Sequence, residues 1–278
     1  MPLRDLLGVV EATEKPEKSA IEQTAALARG YGAQPTVVVA APKISTPYTL
    51  FKTQTISGLT KAENEKLNAR AAALVSEAEK VILGAGKGGE VHLCAESFRE
   101  LLAEVKGRAL CADLVVFDRP GGPVERSEVL FEEVLFGTGR PVLLAVPGRK
   151  PAEKFNQIVL AWDGSPHAAR ALGVALGLFA GIGEAEVITV SGEKNLADQV
   201  PGDKIAAHIG RHGAKAKAVA LKVEQGSVAA TIDAHAGRTG ADLIVMGGFG
   251  HSRLREFVLG GVTRDLTQRA RVSLLLAH

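Results

Sequence analysis

Short apolar runs recur along the chain and alternate with longer stretches of helical periodicity. In the carboxyl half, residues 158–162 (IVLAW) form an unbroken apolar run that stops at Asp163-Gly164-Ser165-Pro166. A strand buried on both faces, followed by a helix start, accounts for this pattern. Ser165 can cap, and Pro166 fits the first helical position. Apolar positions at Ala168, Ala171, Leu172, Ala175 and Leu178 predict the helix, with Gly181 and Gly183 ending it. Further strands are predicted over 186–190, 216–223, 242–246 and 272–277. Helices are predicted over 201–212, from a Ser227 cap to about Arg238, and over 262–269.

The amino half repeats the order. Strands are predicted over 6–10, 35–40, 90–94, 113–117 and 141–146. Helices are predicted over 18–29 with Gly30 after it, 60–83, 96–108 and 127–136. Strands alternating with helices imply crossover units and a parallel sheet. ADLVVF ending at Phe117 parallels ADLIVM ending at Met246, which points to an internal duplication. Asp163 lies 152 positions after Glu11, whereas Asp242 lies 129 after Asp113, so the amino half carries 23 additional residues. They are assigned to 45–61 and the start of the long helix. The Pro-, Gly- and charge-rich stretch 147–154 (PGRKPAEK) reads as a linker.

Composition narrows the function classes. A net charge of +2 with 4% aromatic residues argues against dedicated nucleic-acid binding. No apolar run approaches the roughly 18 residues of a membrane span, and Glu11 follows too soon for a secretory signal, so a cytoplasmic protein is expected. Two cysteines, Cys94 and Cys111, cannot build a disulfide framework or a cysteine-rich zinc site, and both read as buried inert thiols.

The sharpest motif is Gly247-Gly248-Phe249-Gly250, then nine residues, then Gly260-Gly261-Val262-Thr263. It follows a predicted strand and precedes a helix, where doubly wound sheets bind ligands. Glycines let backbone N–H groups approach phosphate oxygens, and the helix start adds its positive end. Thr263 adds a hydroxyl. By local physics alone, a phosphate loop and a flexible loop with helix-stop glycines are equally good readings. Asp163 by itself reads as a turn or cap residue.

Together, MGGFG…LGGVT and the VLAWDGS start resemble the universal stress protein family, in a tandem two-domain form. The resemblance covers essentially the whole chain. The family's ATP-binding subgroup carries G-x2-G-x9-G-(S/T), which Gly247, Gly250 and Gly260 match, while Gly261 stands in place of the Ser or Thr. The resemblance implies two α/β domains, 1–149 and 155–278, each an open five-stranded parallel sheet in doubly wound order (adenine nucleotide alpha hydrolase-like). It also implies that they pack as an internal pseudo-dimer through their last strands, and that two chains can dimerise again. The implied ligand is ATP, with Mg²⁺ or a similar ion, in the carboxyl domain. Asp163 would contact the ribose or base, the Val190 backbone the adenine, and Met246 the base or sugar side. Gly247, Gly250, Gly260, Gly261, Val262 and Thr263 would wrap the phosphates, Phe249 would be a further nucleotide-binding position, and Ala161 and Trp162 would flank the pocket by backbone.

The amino half departs at each point. Its first strand ends at Glu11, and Asp118-Arg119-Pro120-Gly121-Gly122-Pro123 replaces the glycine motif. Two prolines remove donors and Asp118 repels phosphate, so this half is not expected to bind ATP. Gly84-Ala85-Gly86-Lys87-Gly88-Gly89 lies between a helix and a strand, the wrong order for a dinucleotide fingerprint, and reads as a helix-ending loop. His208 and His212 lack the glutamate of a zinc motif and read as a solvent-facing pair. His251 at the glycine loop is a further candidate for reaching phosphate, and Arg253 and Arg255 for supplying positive charge. The functional expectation is a nucleotide-binding stress or regulatory protein with at most incidental ATP hydrolysis. The rival expectations are an ATP-using enzyme of related architecture and a nucleotide-free interaction module.

Overall fold

The computed structural model describes residues 2–43, 54–85, 88–120, 126–191, 201–224, 226–248 and 260–278. The amino half contains β1 (Asp5–Glu11), α1 (Ser19–Tyr31), β2 (Gln34–Ala40), α2 (Gln54–Ile82), β3 (Glu90–Cys94), α3 (Phe98–Cys111), β4 (Leu114–Asp118), α4 (Arg126–Gly137) and β5 (Val142–Ala145). The carboxyl half follows with β6 (Gln157–Ala161), α5 (Pro166–Leu178), β7 (Glu184–Ser191), α6 (Gly202–Arg211), β8 (Lys215–Lys222), α7 (Val228–Thr239), β9 (Leu243–Gly247), α8 (Gly261–Arg269) and β10 (Ser273–Ala277).

The ten strands form one sheet in the order β3-β2-β1-β4-β5-β10-β9-β6-β7-β8. Each half is a doubly wound parallel sheet, and the two meet where β5 and β10 pair antiparallel, Leu274 with Leu144, Leu275 with Leu143 and Leu276 with Val142. Residues on a strand alternate between faces, and both faces of this sheet are covered. One apolar layer joins Leu143 and Leu275 to α1, α2, α5 and α6. The other joins Val142, Leu144, Leu274 and Leu276 to α3, α4, α7 and α8. Both layers therefore run unbroken across the seam. The central strands β5 and β10 are buried throughout, whereas the outermost strands β3 and β8 are largely open.

The repeated ADL motif has a structural cause. Asp113 Oδ2 accepts from the backbone N–H groups of Arg4 and Asp5, at 2.8 and 3.0 Å. Asp242 Oδ2 accepts from those of Asn156 and Gln157, at 2.8 and 3.3 Å. In each half, one carboxylate anchors the start of the first strand to the fourth. Burial pushes the Asp242 carboxyl up, against these hydrogen bonds.

Several sequence expectations need correction. Helix α1 ends not at Gly30 but two residues later, at Gly32, whose left-handed backbone (φ 67°) closes it. Part of the presumed insertion is helical, since α2 begins at Gln54. Residues 147–154 are a fitted connection rather than a loose tether. Gln23 exchanges hydrogen bonds with the Ala152 backbone, and Phe155 is fully buried, its ring 4.8 Å from that of Phe179. Tyr31 accepts a hydrogen bond from the Phe155 N–H, and burial pushes its hydroxyl up to about 12. Cys111 is exposed, while Cys94 is buried with its thiol pushed up by that burial. Among the described residues no helix is long and apolar enough to cross a membrane.

Gly30 is small for a reason outside its own helix. A Cβ built there would lie 1.8 Å from the Glu153 carbonyl oxygen of the connection. Alanine elsewhere in a helix gains about 1 kcal/mol over glycine, but this contact overrides it. Gly30→Ala is expected to destabilise the protein by roughly 1–3 kcal/mol, read as a lower urea midpoint; an unchanged or raised midpoint would show that the connection is not held against α1.

Candidate functional site

Strands β6 and β9 are neighbours, with Leu160 opposite Val245, and their carboxyl ends open onto the same edge of the sheet. Beyond β6, Trp162 is buried and its N–H donates to Ile188 O at 2.9 Å. Asp163 Oδ1 accepts from the Ser165 N–H at 3.0 Å, the turn expected of an aspartate before a helix. Ser165 then caps α5 through the Ala168 N–H at 3.1 Å, with Pro166 in the first turn.

Gly247 ends β9 hard against this capped turn. A Cβ there would fall 2.7 Å from His167 Cβ and 2.8 Å from Ala168 N. Gly248 donates to Ala277 O at 2.8 Å, and a Cβ on it would meet Leu135 Cδ2 at 2.8 Å. Gly247 is thus required by close packing against α5, whereas a side chain at Gly248 would ask the Leu135 side chain of α4 to give way. Phe249 and Gly250, with His251, Arg253 and Arg255, lie outside the described residues.

The motif resumes at Gly260, the N-cap of α8. Its side chain can supply no cap, and the first turn holds no acidic residue. By contrast, Ser97, Ser165 and Ser227 cap α3, α5 and α7. Gly261 is exposed, and a Cβ added to it meets nothing within 4 Å. Val262 is half-buried, and Thr263 is buried at 4% exposure. Of the remaining expected residues, Ala161 and Val190 are half-buried, and Met246 lies in the apolar layer beneath the helices.

A histidine pair that sequence reading did not single out stands beside Gly247 and Gly248. The His167 ring stacks on that of His278 at 4.5 Å, and Phe136 meets His278 edge-on at 4.9 Å. His278 Nδ1 lies 2.9 Å from Gly248 O. Burial holds His167 below its ordinary value, with His278 and Arg170 acting in the same sense and Asp163 against them.

The amino half uses the equivalent crevice differently. Asp118 stands at the position of Gly247 in the repeat, and its Oδ1 accepts from the Ala20 N–H at 2.7 Å. Lys18, the N-cap of α1, gives no side-chain cap; the carboxylate from β4 does so instead. A cavity of about 220 Å³ remains beside it, floored by Val9, Phe117 and Leu130 and bordered by Glu11, Glu17, Asp118, Lys15 and Arg119. Three acidic side chains face two basic ones around it. Among the described residues no group of three or more His, Cys, Asp or Glu is placed to hold a metal, and His208 and His212 only meet edge to face.

Comparison with known proteins follows from this architecture. The strand order defines a doubly wound α/β protein. Residues 154–278 match the family model of the universal stress protein family. Over nearly the full chain the fold is similar to a universal stress protein from Archaeoglobus fulgidus DSM 4304, with 18% identity, a TM-score of 0.67 and coverage of 98% of this chain and 97% of that one. It is also similar to a putative universal stress protein from Pseudomonas aeruginosa UCBPP-PA14, with 13% identity, a TM-score of 0.55 and coverage of 99% and 93%. No curated protein matches the sequence.

Asp118 yields a pH signature. Burial, with Glu17 and Glu22 adding to it, pushes its carboxyl up to about 7 from an ordinary 3.8. A carboxyl raised on folding contributes stability that is complete below the unfolded value and is lost as pH rises through the folded one. Stability from this group therefore falls as pH rises from about 4 to above 7. Asp118→Asn is expected to flatten that slope, so that its thermal midpoint gains on the wild type at about pH 8 relative to about pH 5. Parallel pH profiles would refute the buried carboxyl as the source.

Proposed function

We propose that the protein binds one adenine nucleotide per chain, ATP with its divalent ion, in the domain formed by residues 155–278. Residues 1–149 form a second domain whose own crevice takes no nucleotide. The observation that carries this reading is the start of α8. It follows G-x2-G-x9-G, has glycine as its N-cap, and carries neither a side-chain cap nor an acidic residue in its first turn. Backbone N–H groups and the helix dipole are then directed at whatever anion occupies the position. Asp163, from the adjacent strand end, is an acceptor suited to paired sugar hydroxyls or an adenine amine. Gly247, Gly260 and Gly261 keep side chains away from the phosphates, and Val190 borders the base. The nucleotide biases conformation or assembly, and hydrolysis is incidental.

Denaturing the purified protein and chromatographing the supernatant tests this reading directly. ATP, ADP or AMP is expected at about one per chain in the wild type and is lost in Asp163→Ala and Gly250→Val. A protein that carries none, and shows no affinity on titration, would leave an interaction module as the better reading. The open space over Gly261 gives a second test. Gly261→Ser restores the family's hydroxyl without a clash, and one hydrogen bond of about 0.5–1.5 kcal/mol corresponds to roughly a 2–10-fold gain in ATP affinity. Weaker binding by this variant would argue against phosphates at the α8 start.

A further inference from the structure

The first turn of α8 is met from across the seam by helix α4 of the amino half. Arg264 follows Thr263 in that helix, and its Nε lies 3.8 Å from Oε1 of Glu128. Side chains on a helix lean toward its N-terminus, so the contact brings this carboxylate toward the Gly260 end. Glu128 is 8% exposed, and its second oxygen, Oε2, has no hydrogen-bond partner. A carboxylate buried to this degree is costly unless it is paired and hydrogen-bonded. Arg264 does not meet that need: 3.8 Å is too long for a hydrogen bond, and its side chain is half exposed.

One turn along α4 stands Glu132, on the same face. Its carboxyl is pushed up by burial and, next, by the charge of Glu128, with Arg264 opposing. The two glutamates and one loosely held arginine leave an excess of negative charge beside a helix start that is otherwise a donor surface. A phosphate placed there would be repelled by Glu128 unless a cation came with it.

We infer that Glu128, with Glu132 behind it, supplies the protein's oxygen ligand to the divalent cation of a polyphosphate bound at the α8 start. Mg²⁺ is held characteristically by one or two carboxylates together with substrate phosphate oxygens and retained waters, rather than by an all-protein cage. A single orphaned carboxylate oxygen suits that role, and the hard oxygen donor suits Mg²⁺ or Mn²⁺ over softer metals. The inference rests on the nucleotide reading above. It adds that the amino half, which does not take nucleotide itself, completes the site of the other half.

Calorimetric titration of the full chain with ATP, in EDTA and then in excess Mg²⁺, tests this. In the wild type, Mg²⁺ is expected to raise ATP affinity by at least roughly tenfold, and in Glu128→Gln the ratio of the two affinities falls close to one. A wild type without the Mg²⁺ effect, or a Glu128→Gln protein that keeps it, overturns the role of Glu128 while leaving nucleotide binding standing. A wild type that binds no nucleotide in either condition removes both readings. Should Glu128→Gln fail to fold, the Mn²⁺ electron paramagnetic resonance spectrum of the wild type with ATP carries the test. A spectrum distinct from that of free Mn²⁺–ATP is expected, and an identical one overturns the inference.

Discussion

The antiparallel pairing of β5 with β10 is the constraint on which the rest of the molecule depends. It converts what would be two open edges into the centre of a ten-stranded sheet. Because side chains alternate along both strands, the pairing also makes each apolar layer continuous from one half to the other. The remaining edges lie far from the seam. On β8, Lys215, Lys217 and Lys222 decorate the open edge, a pattern that discourages further strand addition. Lys217 also meets the buried Glu186 at 2.9 Å, and His235 meets it at 2.7 Å. Burial alone would push Glu186 up, but these two hydrogen bonds outweigh it and hold the carboxyl below its usual range.

Within that frame the two halves solve one packing problem in opposite ways. Where the fourth strand ends against the first helix, the carboxyl half caps α5 locally with Ser165 and keeps Gly247 on the strand. The amino half lacks a side-chain cap in its own turn and sends Asp118 across from the strand. Gly247 lets α5 pack directly against its strand end, whereas Asp118 fills the same place with a carboxyl that caps α1.

The seam also explains why the halves are not independent. Leu135 packs over Gly248, Phe136 touches His278, and Arg119 donates to Ala270 O at 2.6 Å. Arg149 of the connection donates to Arg271 O and Ala241 O. Helix α4 therefore reaches the carboxyl half twice, through Leu135 beside Gly248 and through Glu128 beside Arg264 of α8. The amino half is, in this sense, a wall of the carboxyl half rather than a separate module.

Apolar runs and caps were legible in the residues themselves. Residues 90–94 form the expected strand, Ser165 and Ser227 cap where anticipated, and the repeated ADL marks equivalent strands. These signals are local, since burial on both faces writes a continuous apolar run and a cap writes a serine. Gly30 was misread because its small size answers to Glu153, more than a hundred residues away. Gly247 was read as a phosphate contact, and the fold adds a packing reason of its own, the close approach of α5. Asp118 could be marked as hostile to phosphate from its type and place, yet its service as a cap for α1 depends on where β4 delivers it. Sequence by itself determined the alternation of strand and helix, the duplication and the one glycine-rich turn, because each is written in neighbouring residues. Only the tertiary structure decided which backbone a glycine must admit, which helix a carboxylate caps, and that Glu128 of one half lies beside the helix start of the other, because those outcomes are set by contacts between segments distant in the chain.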